Sequence, residues 1–259
     1  VKAEGTPILR NAARDPEVVD TANLLTAMGA QIVGAGTDTI RIRGVRQLPR
    51  DCTYTVIPDR LIACSYLIAA GVTDGCITVE DVIPDHMESC LAKLREIGLD
   101  LDITDNTVTA SRGGRLKATR IRAGMYPVFA TDLQQPITAL LLQAPGRSIV
   151  TDRVYPGRIG HVPQLRRMGA EIEVKNGSIF IQGAVPLRGE YVHATDVRAG
   201  TCLLLAGLTA EGTTRISGVE HIERGNENIV AHFRQLGAKI MLKECDGEGE
   251  FQRLVASPR

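Results

Sequence analysis

Three aspartates and four arginines recur at matching places along this 259-residue chain. Guanidinium groups hold anions such as phosphates and carboxylates through charge-assisted bonds. Asp59, Asp132 and Asp196 each stand at the head of an apolar run, after Pro58, Thr131 and Thr195. An aspartate in that place is an ordinary helix N-cap worth about 1 kcal/mol, and spacing alone favours capping. The arginines say more. Arg60 and Arg198 fall in the first helical turn, where the dipole costs a cation about 0.3–1 kcal/mol. A charge-assisted bond to a carboxylate or phosphate returns about 1.5–3 kcal/mol, so an anionic ligand or the neighbouring Asp offsets the placement. Arg158 and Arg224 fall in strand-to-helix loops, beside backbone N–H groups able to hold an anion. His161 and His221 lie near those loops and read as solvated or capping residues. The GAGTD run at 34–38 looks like a phosphate-binding loop, but it joins two hairpin strands and reads as a turn.

The elements that must position these groups recur as well. Residues 195–240 contain an acidic-capped helix over the apolar run 202–208 and a stop at Ala210-Glu211-Gly212. A strand at 213–219 follows, and then Ile229, Val230, Phe233 and Leu236 at helical spacing up to Gly237. The same order begins at Asp59 and at Asp132. Helix-stop glycines at 29, 98, 169 and 237 give a period of about 70 residues. Gly29 belongs to a further copy with a strand at 7–11, a helix at 16–28 and a hairpin of 31–33 with 39–42. The opening helix of that copy is expected before Val1. Residues 52–57 read as a short connecting strand. A ribbon of 170–174 with 178–182 turns at Asn176-Gly177. The pattern predicts α/β layers built from repeated βαβαββ units, with a boundary near Pro58. Units then span 58–123, 124–184 and 185–245, followed by a polar tail at 246–259.

Composition narrows the function classes. Thirty basic residues balance thirty acidic ones, so no global field recruits nucleic acid or an anionic membrane, and any anion binding is local. Six cysteines (52, 64, 76, 90, 202 and 245) show no metal-ligand spacing. Cys64, Cys76, Cys90 and Cys202 fall in apolar patterns and read as buried, in a reducing cytoplasmic compartment. Aromatic residues make up 3% of the chain, with no Trp, which argues against base-stacking platforms. No apolar run reaches the roughly 18 residues of a membrane span.

The ordered motifs AEGTPILRNAARDPEVVDTANLLTAMGAQIVGAGTDTIRI, VIPDRLIA, FATDLQQ, GRIGHVPQLRRMGAEI, HATDVRAG and HIERGNENI resemble the enolpyruvyl transferase family up to about residue 241. The resemblance implies an inside-out α/β barrel, with 1–57 ending a first domain and 58–245 forming most of a second. It implies transfer of the enolpyruvyl group of phosphoenolpyruvate to the 3'-hydroxyl of UDP-N-acetylglucosamine, in peptidoglycan synthesis, with no metal or organic cofactor. A sister enzyme acting on shikimate 3-phosphate and a non-catalytic paralogue are the competing readings. By resemblance, Asp132 is the carboxylate that takes the sugar hydroxyl's proton, and Val154 touches the UDP-sugar. Arg198 and Arg224 hold the phosphate and carboxylate of phosphoenolpyruvate. Arg158 is a further active-site arginine, and Asp59 and Asp196 are cleft aspartates. The family's catalytic loop, with its Cys or Asp acid, and its Lys-Asn pair are expected before Val1, so the isolated chain is expected to be inactive. YPGRIGH stands here for the usual FENRFMH, so Pro156-Gly157 replaces a polar pair beside Arg158, and FATDLQQP departs from the usual PTDMQAQ, placing Pro136 early in the helix.

Overall fold

The computed structural model describes residues 1–48, 51–243 and 253–257. The first fragment comprises β1 (Ile8–Arg10), α1 (Pro16–Ala27), β2 (Gln31–Val33) and β3 (Thr39–Arg43), in an antiparallel sheet ordered β1-β3-β2. Proline in the first turn starts α1, because its fixed φ suits a helix and its missing N–H is not needed there. The GAGTD segment is a turn, closed by Thr37 N–H on the Gly34 carbonyl.

The next unit has α2 (Arg60–Thr73), β4 (Cys76–Val79), a 3-10 turn at Pro84–Met87, α3 (Glu88–Ile97), β5 (Leu99–Ile103) and β6 (Val108–Arg112). The third has β7 (Arg120–Gly124), β8 (Phe129–Ala130), a 3-10 turn at Thr131–Leu133, α4 (Gln134–Leu141), β9 (Gly146–Asp152), α5 (His161–Arg167), β10 (Glu171–Lys175) and β11 (Ser178–Gly183). The fourth has β12 (Tyr191–His193), α6 (Val197–Gly207), β13 (Thr214–Ser217), α7 (Val219–Gly225), α8 (Ile229–Gln235), β14 (Lys239–Lys243) and β15 (Arg253–Ser257).

Strand order repeats between units. β7 and β12 run parallel to β9 and β13, which pair antiparallel with β11 and β15; β10 and β14 then form the far edges. The second unit follows the same order, β4-β6-β5. α2, α4 and α6 are buried almost all round and pack on one another, so the helices form the centre and the three sheets stand outside. A helix apolar on every side has no solvent face and must lie in a core. Each fully buried Leu along this axis, such as Leu67, Leu140 or Leu204, contributes about 1.5–3 kcal/mol. Gly71 lets α2 approach α4, because an added Cβ there would press on Leu140 and Leu99. The described sheets stay separate, with no ladder joining them.

Several expectations change. Residues 52–57 form no strand; Tyr54 instead anchors the segment to α1 through Asp20, with O–H to Oδ1 at 2.8 Å. The expected polar tail contains β15, whose Leu254 and Ala256 are buried against β13 and β14. Residues 246–252, 258 and 259, like Cys245, lie outside the described residues. Cys76 is exposed, because it opens β4 at the sheet's rim, whereas Cys64, Cys90 and Cys202 are buried. An additional short helix, α7, occupies the expected loop around Arg224. The left-handed Gly218 (φ 75°) starts it, and Val219 and Ile222 bury one face.

Candidate active site

The first turns of α2, α4 and α6 meet at one end of the axis, and they treat their aspartates differently. Asp59 caps α2, with Oδ1 accepting from Leu61 N (2.8 Å) and Ile62 N (3.0 Å). Asp196 caps α6 in the same way, with Oδ1 accepting from Arg198 N (2.9 Å) and Ala199 N (3.0 Å). Asp132 does not cap. A 3-10 turn at Thr131–Leu133 precedes α4, and no side-chain cap bond forms at either element. Its carboxylate is gripped by two arginines instead: Arg158 Nη1 lies 2.6 Å from Oδ1 and Arg198 Nη2 lies 3.1 Å from Oδ2.

Burial alone would raise the Asp132 pKa, but Arg198 and Arg158 outweigh it and hold the carboxyl below its usual range. The misplaced cation of α6 therefore has an anionic partner, supplied by another helix. Arg158 is also fixed by its loop, with its guanidinium 4.3 Å from the centre of the Tyr155 ring. That loop is organised by Asp152, the last residue of β9. Asp152 Oδ1 accepts from Val154 N (2.8 Å) and Tyr155 N (3.0 Å), while Oδ2 accepts from Thr131 Oγ1 (2.6 Å). One buried carboxylate thus joins the Arg158 loop to the turn carrying Asp132. The pattern DRVYPG held a signal for it, since Asp two or three residues before free backbone N–H groups makes an Asx turn.

Asp59, Asp132, Val154 and Arg158 line a cleft of about 680 Å³, with Glu17 and Val18 of α1 forming part of its wall; Asp196, Arg198 and Arg224 are not among its lining residues. Arg60 ties that wall to α2. It is 8% exposed, bonds Glu17 (2.8 Å) and Asp15 (3.1 Å), and lies 5.1 Å over the Tyr126 ring. The anion that offsets Arg60's position is thus the head of α1, and Asp59 is left to cap.

Arg224 stands apart. It is exposed on α7 and makes no hydrogen bond or ion pair among the described residues. The next residue, Gly225, packs so closely on Val197 that a Cβ would overlap it, which sets Arg224 beside the head of α6. His161 is neither solvated nor capping. Its ring is fully buried where α5 meets α6, and burial pushes its pKa down to about 4, partly opposed by Asp196. Among the described residues, no group of three or more His, Cys, Asp or Glu side chains is arranged to hold a metal ion, and no helix is long and apolar enough to cross a membrane.

Comparison with known proteins gives this arrangement its relatives. The model of the EPSP synthase (3-phosphoshikimate 1-carboxyvinyltransferase) family matches residues 1–233. The chain is 49% identical over 240 residues to UDP-N-acetylglucosamine 1-carboxyvinyltransferase 2 of Bacillus cereus, covering 93% of this chain and 56% of that protein. It is 48% identical over 248 residues to the protein of the same name in Geobacillus kaustophilus, covering 96% and 58%. Among solved structures, the enolpyruvyl transferase NikO from Streptomyces tendae superposes with a TM-score of 0.81 at 28% identity, over 91% of this chain and 56% of that one. EPSP synthase from Acinetobacter baumannii shares the fold at a TM-score of 0.58 and 18% identity, over 80% and 47%. The chain spans little more than half the length of the curated relatives it matches. With a family match over most of its length and relatives near half identity, the chain belongs to the EPSP synthase family of enolpyruvyl transferases.

Proposed function

We propose that this cleft serves transfer of the enolpyruvyl group of phosphoenolpyruvate to the 3'-hydroxyl of UDP-N-acetylglucosamine, with release of phosphate, in peptidoglycan synthesis. The observation that carries the reading is the clamp of Arg158 and Arg198 on Asp132, which itself lines the cleft. It joins a base to the cations that an anionic donor needs. The names of the relatives near 49% identity support the acceptor.

In this mechanism the phosphate and carboxylate of the donor draw Arg198 and Arg224 to themselves, with Arg158 alongside. Asp132, relieved of its counter-ions but still partly buried, becomes the stronger base. The sugar hydroxyl then attacks C2 of the enolpyruvyl group and gives its proton to Asp132, while C3 takes a proton from an acid of the complete site. Breaking the C2–O bond to phosphate and returning a proton from C3 restores the double bond in the product. A positioned carboxylate base contributes about 10² to 10⁴ in rate. Val154 sits at the cleft edge, where it would touch the sugar nucleotide, and a second domain would complete the cleft.

The experiment is phosphate release by the protein isolated from its source cells, with each acceptor in turn. Release with UDP-N-acetylglucosamine and not with shikimate 3-phosphate is expected. Release only with shikimate 3-phosphate, or with neither, would overturn the reading.

A further inference from the structure

Beside the clamp lies a second polar cluster, buried in the seam where α4, α5 and α6 meet. Both ring nitrogens of His161 and the Oε1 of Gln135 are buried without a protein partner among the described residues. His161 and Gln135 are each 0% exposed. A neutral imidazole still has one N–H to donate and one lone pair to fill. Native proteins rarely leave such groups unpaired, and an ordered water is the usual partner.

Gln135 touches Asp196, and His161 lies within reach of its charge. Gln135 Nε2 donates to Asp196 Oδ2 at 3.4 Å, and Thr195 Oγ1 reaches the same oxygen at 3.4 Å. Those bonds are at the outer limit of length, while Oδ1 on the capping side holds its two donors at 2.9 and 3.0 Å. Oδ2 therefore has accepting capacity to spare. Asp196 also acts electrostatically on the His161 ring, and Gly160 packs so tightly on Thr195 that an added Cβ would overlap it.

The heads of α4 and α6 are thereby cross-linked twice in opposite senses. Arg198 of α6 reaches Asp132 before α4, and Gln135 of α4 reaches Asp196 before α6. We propose that Gln135 and His161, the latter through an ordered water on Asp196, are positioning residues that hold the first turn of α6 and so keep Arg198 on Asp132. The functional consequence rests on the reading that Arg198 captures the donor's anion; the geometric claim does not.

The test is carbon-13 NMR titration of the Asp132 carboxyl in the wild type, Gln135→Ala, His161→Phe and His161→Gln. Gln135→Ala removes the amide without adding bulk, and its circular dichroism spectrum checks that it folds. A loosened Arg198 lets the Asp132 pKa rise, by about half a unit or more in Gln135→Ala and His161→Phe, with partial recovery in His161→Gln. Ring nitrogen-15 shifts of wild-type His161 should show a hydrogen-bonded N–H. An Asp132 titration that matches the wild type in Gln135→Ala and His161→Phe would overturn the proposal, and so would a His161 ring free of hydrogen bonding. A parallel titration with inorganic phosphate separates the two claims. No phosphate binding by the wild type counts against the anion reading alone, while the Asp132 titration still decides this one.

Discussion

Asp132 occupies Arg158 and Arg198, the cations that the proposed donor would use, so replacing it with asparagine should tighten anion binding. Asp132→Asn keeps the side chain's shape and removes its charge. In the native protein a phosphate must displace contacts of 2.6 Å from Arg158 and 3.1 Å from Arg198. A hydrogen bond to a charged group is worth about 1.5–3 kcal/mol, and the lower end applies here because Asp132 is 29% exposed. Losing one such competing bond predicts phosphate binding at least about tenfold tighter in the variant. Calorimetric titration of inorganic phosphate at neutral pH would read this, and the gain should shrink with added salt. Equal or weaker phosphate binding in Asp132→Asn would refute the idea that carboxylate and ligand compete for the same guanidinium groups.

Other consequences are local. His161, at about pH 4 in the fold against about 6.5 when unfolded, binds its proton more weakly when native. Its contribution to stability is complete above about pH 6.5 and is lost as pH falls toward 4, by about 3 kcal/mol. Denaturant melts across that range should show the loss, and His161→Phe should flatten it. Arg60→Ala should cost about 1–2 kcal/mol, since Glu17 is half exposed, and should speed hydrogen exchange in α1; unchanged exchange there would contradict the tie between α1 and α2. Gly200→Ala should destabilise by about 1–3 kcal/mol, because the added methyl overlaps the Ile222 side chain of α7. A variant as stable as wild type in denaturant would show that α7 yields.

The periodic helices were legible because stop glycines and apolar spacing are local signals. Gly98, for example, ends α3 in the left-handed region at φ 115°. Asp59 and Asp196 follow the capping rule for the same reason. Asp132 departs from it because it lies inside a 3-10 turn that precedes α4, and nothing in TDLQQP distinguishes that turn from an ordinary cap. The apolar triplet at 254–256 was too short to read as a strand amid polar neighbours, and its burial depends on pairing with β13 and β14. Residues 52–57 have strand-like composition but no ladder partner among the described residues. The burial of His161 and the partnership of Arg60 with α1 arise only where separate elements meet. Helical spacing carries no trace of such contacts.

The most direct test of the central claim, that Asp132 is the base of an enolpyruvyl transfer site, is turnover by the native protein and its Asp132→Asn variant. Phosphoenolpyruvate and UDP-N-acetylglucosamine would be supplied and phosphate release followed. Turnover in Asp132→Asn should fall at least about a hundredfold with UDP-N-acetylglucosamine affinity little changed. Turnover within a few-fold of the native protein would contradict it.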